Sequence, residues 1–467
     1  MPDRPNILWL MTDEQRADSL SYTGTPWAHT PNLDAVALSG TRFTSAYTPS
    51  PVCVSARACL LTGRHGSSIG MLNNHHRLAL EDPRFLTWAF AAGGYQVASF
   101  GKHHYNCPRQ AFDVEGGRVL GDRVHYFEYT SLGESDDAGV VRYDGGESPW
   151  LFAGRYPGGV DDTPEMENVA QALAWIRRRD PSRPFLLRLS LNAPHTPVVT
   201  PAPFDTLVSL ESIELPIDWS DDMAFASRTH QQYLCSYAGT HRLSEAQIRR
   251  SRQCYYGHVA FVDHVCGRLL NELAAMGELD NSLVAFVSDH GTHLGEHGFF
   301  QKQSFWDASA RIPLFLDGPD ICEQVLDAPV SSGSLLPTLL DLVGLPVPPQ
   351  GEYASLAATV TGEDPPPSTP VFSEIDYGLW HYRSGDRRVM VRDGKWKLVL
   401  YRDPRDPDRF TSHDDRVLYD LVTDPGERIN LAGAPACTAV EDRLLAALDN
   451  FDHGREMVEP SLVKRHR

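Results

Sequence analysis

The sequence predicts an α/β fold, with a large parallel or mixed sheet flanked by helices and a smaller C-terminal subdomain built on an antiparallel sheet. Four near-continuous apolar runs, at residues 6–12, 95–100, 184–191 and 282–287, are separated by segments of helical periodicity such as 166–179 and 255–276. Runs of this kind are typical of strands buried on both faces. With 467 residues, 42% of them hydrophobic, the chain can bury a large core.

Each of these runs is followed by residues whose side chains can bind a metal ion, bind an anion or transfer a proton. The first ends at Asp13, the second at Lys102 and His104, the third at His195, and the fourth at Asp289 and His290. In open α/β sheets, ligands bind at the carboxyl ends of the strands. We therefore expect these four strand ends to converge on one crevice.

The amino-acid composition of the sequence changes after residue 345. Segments 346–351 and 362–370 are rich in proline and glycine, which indicates connecting loops. We place the catalytic domain at 1–360 and the C-terminal subdomain at 361–467. In the latter, residues 388–401 predict a hairpin turning at Asp393 and Gly394, a further strand begins at Val417, and 437–451 predicts a closing helix.

Composition excludes several classes of function. A formal charge of −19 without a basic stripe argues against a nucleic-acid partner. The first apolar run is too short for a signal peptide or a membrane span. No Cys-x-x-Cys pair occurs among the eight cysteines, so we expect a reduced, cytoplasmic protein with no membrane partner. The sequence leaves a homo-oligomer possible.

The most informative segment surrounds Cys53. This residue lies four positions before Arg57 in a small-residue stretch, which is followed by Leu61-Thr-Gly-Arg64. A cysteine beside a fixed cation at the start of a helix is suited to attack an oxyanion. The alternative interpretation is a buried cysteine that only packs.

This segment resembles the signature of the sulfatase family within the alkaline phosphatase superfamily. Two later segments add to the resemblance: 288–298, followed by Lys302 and Arg311, and 418–430 in the C-terminal subdomain. The resemblance implies an alkaline-phosphatase-like sheet and hydrolysis of sulfate esters. It also implies that a maturation enzyme converts Cys53 to formylglycine, whose hydrated form attacks sulfur. Ser55 stands where the family most often has proline.

The carboxylates predict a metal site. Asp13, Glu14 and Asp289, with the imidazole of His290, favour a hard cation such as calcium or magnesium, and manganese is possible. Without the resemblance, Asp289 could instead cap a helix. The resemblance implies calcium, held at these positions and by the formylglycine oxygen of residue 53. Glu14 departs from the aspartate or glutamine that is usual in the family.

Two histidine clusters need separate interpretation. His290, His293 and His297 have a spacing that could be mistaken for a zinc site, but only His290 matches a family ligand, and Gly291, Gly295 and Gly298 argue against a regular helix. We predict that His293 and His297 bind no metal. His75 and His76 are expected to lie in a solvated loop.

Five residues are candidates for the substrate side of the reaction. The resemblance implies that Arg57 and Lys102 steady the formylglycine, that His195 and Lys302 hold the sulfate and protonate the departing alcohol, and that His104 helps to release the bound sulfate. Cations around the transferring group stabilise its charge, and a histidine near neutrality can pass protons.

Three functions stay open. The preferred one is a sulfuric ester hydrolase acting on a small-molecule or carbohydrate sulfate ester. The second is a phosphonate monoester or phosphodiester hydrolase of the same superfamily, a branch that tends to carry neutral residues in place of Lys102 and His104. The third is a binding protein without catalytic activity, in which Cys53 is never converted to formylglycine. Loops at 72–80, 106–129 and 205–250 are expected to contact the alcohol, and residues 304–307 faintly resemble choline sulfatases.

Overall fold

The computed structural model of the chain describes residues 4–78, 84–118, 139–143, 150–219, 243–376, 387–401 and 416–462. Its centre is an eight-stranded sheet. In chain order the strands are β1 Asn6–Thr12, β2 Thr41–Phe43, β3 Gln96–Gly101, β4 Val114–Gly116, β5 Phe185–Ser190, β6 Ser282–Ser288, β7 Leu314–Asp317 and β8 Gln324–Leu326.

The spatial order of this sheet is β8-β2-β7-β6-β1-β5-β3-β4. The strands β6, β1, β5, β3 and β4 run parallel, whereas β7 runs antiparallel to β6 and β2. The predicted large mixed sheet is therefore confirmed. Its central strands are the four apolar runs, so their carboxyl ends lie side by side.

Helices cover both faces of the sheet. In chain order the longer ones are α1 Pro31–Ser39, α2 Cys53–Thr62, α3 Thr87–Ala92, α4 Pro164–Ile176, α5 Glu245–Ala275 and α6 Leu335–Leu342. A hydrophobic core lies on each face of the sheet, and successive residues of β1 point alternately into one core and the other. Trp9 packs in the same cluster as residues of α2 and α6, and Leu10 packs with residues of α4 and α5. Burial on both faces explains why the strand sequences are continuously apolar.

Helix α5 begins earlier than the sequence indicated. The predicted start was residue 255, whereas the helix starts at Glu245. Ser244 caps it, accepting a hydrogen bond from the Gln247 amide while the Gln247 side chain accepts one from the Ser244 amide. This reciprocal cap satisfies two backbone donors at the start of the helix.

The C-terminal subdomain has the predicted α+β form. Its antiparallel sheet contains β9 Val371–Asp376, β10 Arg387–Asp393, β11 Trp396–Tyr401 and β12 Arg416–Asp420, and helix α7 spans Thr438–His453. One face of this sheet packs against α7, and the other packs with Tyr47 and Trp306 of the larger unit. The predicted β10–β11 hairpin is present, but it turns at Gly394 and Lys395, one residue later than predicted, because Asp393 still pairs with Trp396.

Short elements complete the description. The described residues contain four minor sheets, which pair His76–Arg77 with Ser461–Leu462, Ala46–Tyr47 with Val330–Ser331, His293–Leu294 with Phe300–Gln301, and Trp150–Arg155 with both Val141–Tyr143 and Val199–Thr200. They also contain three short α-helices, Gly66–Ile69, Asp307–Ala310 and Ala357–Val360. Within the described ranges every cysteine is free, and no helix has the length and apolar character needed to cross a membrane. Cys235 lies outside the described residues.

Candidate active site

The four predicted strand ends converge on the first turn of helix α2. Parallel pairing aligns β1 with β6 on one side and with β5 on the other, and β3 follows β5. The Asp289 amide donates to the Thr12 carbonyl, and the Lys102 amide donates to the Ser190 carbonyl, so the loops leave the sheet at one level. Cys53, the first residue of α2, faces this edge.

Cys53 lies at the centre of the cluster. Its Sγ is 3.2 Å from His290 Nε2, 3.3 Å from Lys302 Nζ and 3.7 Å from Asp13 Oδ1. The side chain is buried, at 1% exposure. An atom at this position therefore touches cations and the candidate metal ligands together, which is the environment a nucleophile for an anionic ester needs.

The charges around Cys53 favour its ionised form. Burial and Asp13 raise the pKa of the Cys53 thiol, but Lys302, Lys102 and His290 outweigh them, so this pKa lies well below its usual value. The pKa of Asp13 is also well below its usual range, because Lys102, His195, Arg57 and Lys302 outweigh the opposing effect of burial. The site is thus built to hold negative charge at residue 53.

Arg57 organises the carboxylates. Its Nε donates to Asp289 Oδ2 at 2.7 Å, and its NH2 group donates to Asp13 Oδ2 at 3.1 Å. Its NH1 group donates to the Ser190 hydroxyl and the Lys102 carbonyl. Arg57 was predicted to steady residue 53. Its hydrogen bonds show that it also holds the carboxylates of Asp13 and Asp289 in place.

Lys102 and His104 follow β3. Lys102 Nζ lies 2.6 Å from Asp13 Oδ2 and donates to Asn192 Oδ1 at 3.0 Å. His104 lies close enough to the Cys53 side chain to interact with it, while part of the residue is exposed to solvent. Gly101 makes this turn possible, because its φ is +102° and a Cβ there would lie 2.1 Å from the Ser190 carbonyl oxygen.

Lys302, Glu14 and His195 form a second group beside the nucleophile. Lys302 Nζ is 2.5 Å from Glu14 Oε1 and 2.6 Å from His195 Nε2. The same His195 nitrogen is 3.4 Å from Glu14 Oε1. This arrangement places a cation and an imidazole on one side of Cys53, where the leaving group of a substrate could receive a proton.

The residues present fit a divalent cation. Asp13, Cys53, Asp289 and His290 each place one ligand atom within 4.8 Å of the others, and Asp13, Glu14 and His195 form an overlapping group. Arg57 occupies Oδ2 of both aspartates, so each Oδ1 is turned towards the cluster. Carboxylate oxygens suit calcium, magnesium or manganese. Glu14 pairs with Lys302, and among the potential metal ligands it is grouped with Asp13 and His195 rather than with Cys53, Asp289 and His290.

His293 and His297 point away from this site. His293 Nε2 lies 2.7 Å from the Ser304 hydroxyl, and His297 Nδ1 lies 3.0 Å from Asp218 Oδ2. Neither belongs to a group of potential metal ligands in the described part of the chain.

Replacing His293 by glutamine or His297 by asparagine should therefore leave the metal content of the purified protein unchanged. Each substitution removes a buried imidazole that lies outside the ligand group, whereas His290→Ala removes a member of it. Elemental analysis of the three folded variants checks this. Loss of metal from either of the first two variants would contradict the assignment.

The prediction of a solvated loop at His76 is wrong. His76 is fully buried, its Nδ1 accepts a hydrogen bond from the Leu72 amide, and its backbone pairs with Leu462. His75, its neighbour, is half-buried. Partners distant in sequence cover His76, and a local polar pattern cannot reveal them.

Sequence reasoning missed three residues that support the site. Asn192 accepts from Lys102, Ser190 accepts from Arg57, and Asn74 Oδ1 accepts from the Val54 amide at the start of α2. Ser190 and Asn192 could have been found, because Ser190 ends the strand that precedes His195 and Asn192 lies in the turn between them. Asn74 gave no such signal. Of the loops expected to contact the alcohol, residues 79–80, 119–129 and 220–242 lie outside the described residues.

Comparison with known protein families identifies the family to which the chain belongs. Residues 5–345 match the Sulfatase family, and residues 295–453 match the family described as N-sulphoglucosamine sulphohydrolase, C-terminal. The chain belongs to the sulfatase family. The first match covers the strand ends, Cys53 and Lys302, so this sulfatase is a sulfuric ester hydrolase with an alkaline-phosphatase-like fold.

Individual relatives of this sulfatase match along most of its length. It is 26% identical to an arylsulfatase of Clostridium perfringens, over 97% of this chain and 95% of the relative, and 29% identical to a choline-sulfatase of Rhizobium meliloti, over 92% and 83%. The solved phosphonate monoester hydrolase of Agrobacterium radiobacter shares its fold, with a TM-score of 0.79 at 22% identity and coverage of 99% and 100%.

Proposed function

We propose that this sulfatase hydrolyses sulfate monoesters through a formylglycine formed from Cys53, assisted by one divalent cation. The observation that carries the proposal is the position of Cys53 Sγ, within 3.7 Å of Lys302, His290 and Asp13. A hydrated formylglycine supplies two hydroxyls on one carbon, the first to attack sulfur and the second to drive release of sulfate.

Residues Asp13, Asp289 and His290 would hold the cation together with residue 53. Glu14, which pairs with Lys302, would be a further ligand through the group that it forms with Asp13 and His195. This oxygen-rich donor set favours calcium, with magnesium or manganese as alternatives. The cation would supply Lewis acidity towards the attacking oxygen. Arg57 keeps both aspartates oriented through their outer oxygens.

The remaining residues bind the sulfuryl group and move protons. Lys302 contacts residue 53 and Lys102 pairs with the adjacent Asp13, so both place ammonium groups near the position where negative charge develops. His195, in contact with Lys302, is positioned to protonate the departing alcohol. His104 contacts residue 53 from the solvent side, so it can accept the proton whose loss expels sulfate.

The partners follow from this chemistry. The substrate is a small-molecule or carbohydrate sulfate ester, and a maturation enzyme must act on Cys53. Mass spectrometry of the Cys53 peptide tests that conversion, because replacing sulfur by oxygen with loss of two hydrogens lowers its mass. A peptide carrying only the intact thiol in an active preparation would contradict the proposed nucleophile.

A phosphonate monoester or phosphodiester hydrolase is the second candidate, favoured by the fold shared with a phosphonate monoester hydrolase. Charge alone does not separate the two substrate classes, since sulfate monoesters and phosphonate monoesters each carry one negative charge. Lys102 and His104 make this pocket more cationic than a neutral pair would. Cations spread around three equivalent oxygens suit an unsubstituted sulfuryl group.

We therefore expect an aryl sulfate to be hydrolysed with a higher kcat/KM than the matched phenylphosphonate ester at neutral pH. Lys102→Ala should lower the sulfatase rate by about 10² to 10³, and the phosphonate rate by less, because it removes a cation that pairs with Asp13 beside residue 53. Steady-state kinetics on both esters give the ratio of the two activities.

Lys397→Met provides the matched control. Lys397 is also a buried, ion-paired lysine, but its partners are Asp307 of the larger unit and Glu427 of the C-terminal subdomain, and neither contacts Cys53 in the hydrogen bonds and ion pairs of the described residues. Its loss should leave the ratio of sulfatase to phosphonatase activity unchanged even where it lowers stability. A higher kcat/KM for the phosphonate ester in the unmutated enzyme would make the second candidate the correct one.

A further inference from the structure

The chain carries a thiol at residue 53 until it is converted, and this form has a different set of metal ligands. We propose that the unconverted chain binds Zn²⁺ through the Cys53 thiolate, His290, Asp13 and Asp289, so that conversion of Cys53 changes which metal this site prefers. The inference uses ligand atoms of the proposed site but depends neither on conversion nor on sulfate hydrolysis.

Four of the six distances between the ligand atoms are close to those of a tetrahedral zinc site. Cys53 Sγ is 3.2 Å from His290 Nε2 and 3.7 Å from Asp13 Oδ1, and His290 Nε2 is 3.7 Å from Oδ1 of both Asp13 and Asp289. Bonds of about 2.0 to 2.3 Å to a tetrahedral zinc separate the ligands by roughly 3.3 to 3.6 Å. These four distances therefore lie within a few tenths of an ångström of the tetrahedral values, and the remaining two, from Asp289 to Cys53 and to Asp13, are within 4.8 Å.

The hydrogen bonds behind these ligands already have the form of a zinc site. His290 Nδ1 lies 2.9 Å from the Gly291 carbonyl oxygen, an acceptor, so Nδ1 carries a proton and Nε2 is the nitrogen that faces Cys53. A metal ion that displaces the proton from Nε2 would find that lone pair directed at the cluster. Arg57 holds Oδ2 of both aspartates, which orients each Oδ1 inward. Such outer partners fix ligand geometry before the metal arrives.

Ligand softness decides which metal is bound. A thiolate is a soft ligand that favours zinc over calcium and magnesium, and coordination itself removes the thiol proton. Two carboxylates and one thiolate carry three negative charges, which a divalent ion and the ion-paired Arg57 balance. Lys102 adds a further cation beside Asp13, while Lys302 pairs with Glu14. Replacing sulfur by the oxygens of formylglycine removes the soft donor, and the same carboxylates then suit a hard ion.

Cobalt titration of the unconverted protein tests this inference. Protein produced without a maturation enzyme, with its intact thiol confirmed by mass, is titrated with Co²⁺ and then with Zn²⁺. We expect a thiolate-to-cobalt charge-transfer band, the visible bands of tetrahedral cobalt, and loss of both when zinc is added in the presence of excess calcium. Cys53→Ala should lack the charge-transfer band and bind zinc more than about a hundredfold more weakly, since even outer-shell partners contribute that much.

Cys59→Ala is the matched control, because Cys59 is also buried on helix α2 but is absent from the ligand group. It should keep the cobalt spectrum. A wild-type protein without a thiolate band, or a Cys53→Ala protein that retains it, would overturn the inference. Sulfatase activity of separately prepared, converted protein is measured in parallel, so failure of the zinc inference is distinguishable from failure of the proposed function.

Discussion

Replacing Cys53 by alanine should abolish sulfate ester hydrolysis and leave the fold intact. Residue 53 is the first residue of helix α2, where alanine is a good helix former, and its Sγ contacts charged groups of the site. Loss of a catalytic nucleophile can lower kcat by about 10⁶. Turnover of an aryl sulfate, with circular dichroism to verify folding, measures the effect in protein produced with the maturation enzyme.

Cys59→Ala again serves as the control for this experiment. Cys59 lies six residues further along the same helix and packs in the core cluster that contains Trp9 and Leu60. Its truncation should lower stability modestly, by about 1 kcal/mol, and leave turnover within a few fold of the unmutated enzyme. A Cys53→Ala enzyme that retains a tenth of the original rate would exclude covalent catalysis by residue 53.

Cys53→Ser separates the two halves of the proposed reaction. A serine hydroxyl at this position could attack sulfur once, but its carbon carries no second hydroxyl to expel the sulfate. We therefore expect a sulfated serine to accumulate, visible as an increase in the mass of the intact protein. Continued turnover by this variant would show that release does not need the second hydroxyl.

The sequence contained most of what positions the site. The apolar runs before Asp13, Lys102, His195 and Asp289 are continuous because strands β1, β3, β5 and β6 are buried on both faces. Parallel pairing then brings their ends together without further information from the sequence. For the same reason the fold and the set of candidate residues could be predicted before any contact was known.

What the sequence could not show depends on partners distant along the chain. His76 has polar neighbours and seemed solvated, but Leu462 pairs with it from the C-terminal end. Arg57 was assigned to residue 53 by resemblance, whereas its described hydrogen bonds go to Asp13 and Asp289 among others. The early start of α5 was missed because its first turns are mostly polar and depend on the cap at Ser244.

The Asp13→Asn and Asp289→Asn variants should lose metal and lower turnover by about 10³ or more, because each replaces a charged hard ligand by a neutral amide and weakens the Lewis acid. Both aspartates also accept from Arg57, so each change disturbs a buried ion pair, which costs stability as well. Elemental analysis and kinetics at a temperature where each variant is folded measure the two effects separately.

Asp263→Asn distinguishes loss of metal from loss of stability. Asp263 is a buried carboxylate on helix α5 that accepts from the Asn32 side chain and the Leu33 amide, and it lies outside the ligand groups. The same substitution there should lower the melting temperature but keep metal content and kcat. If converted enzyme instead contains stoichiometric zinc and no calcium, magnesium or manganese, the hard-cation assignment is wrong, since formylglycine offers no sulfur ligand to favour zinc.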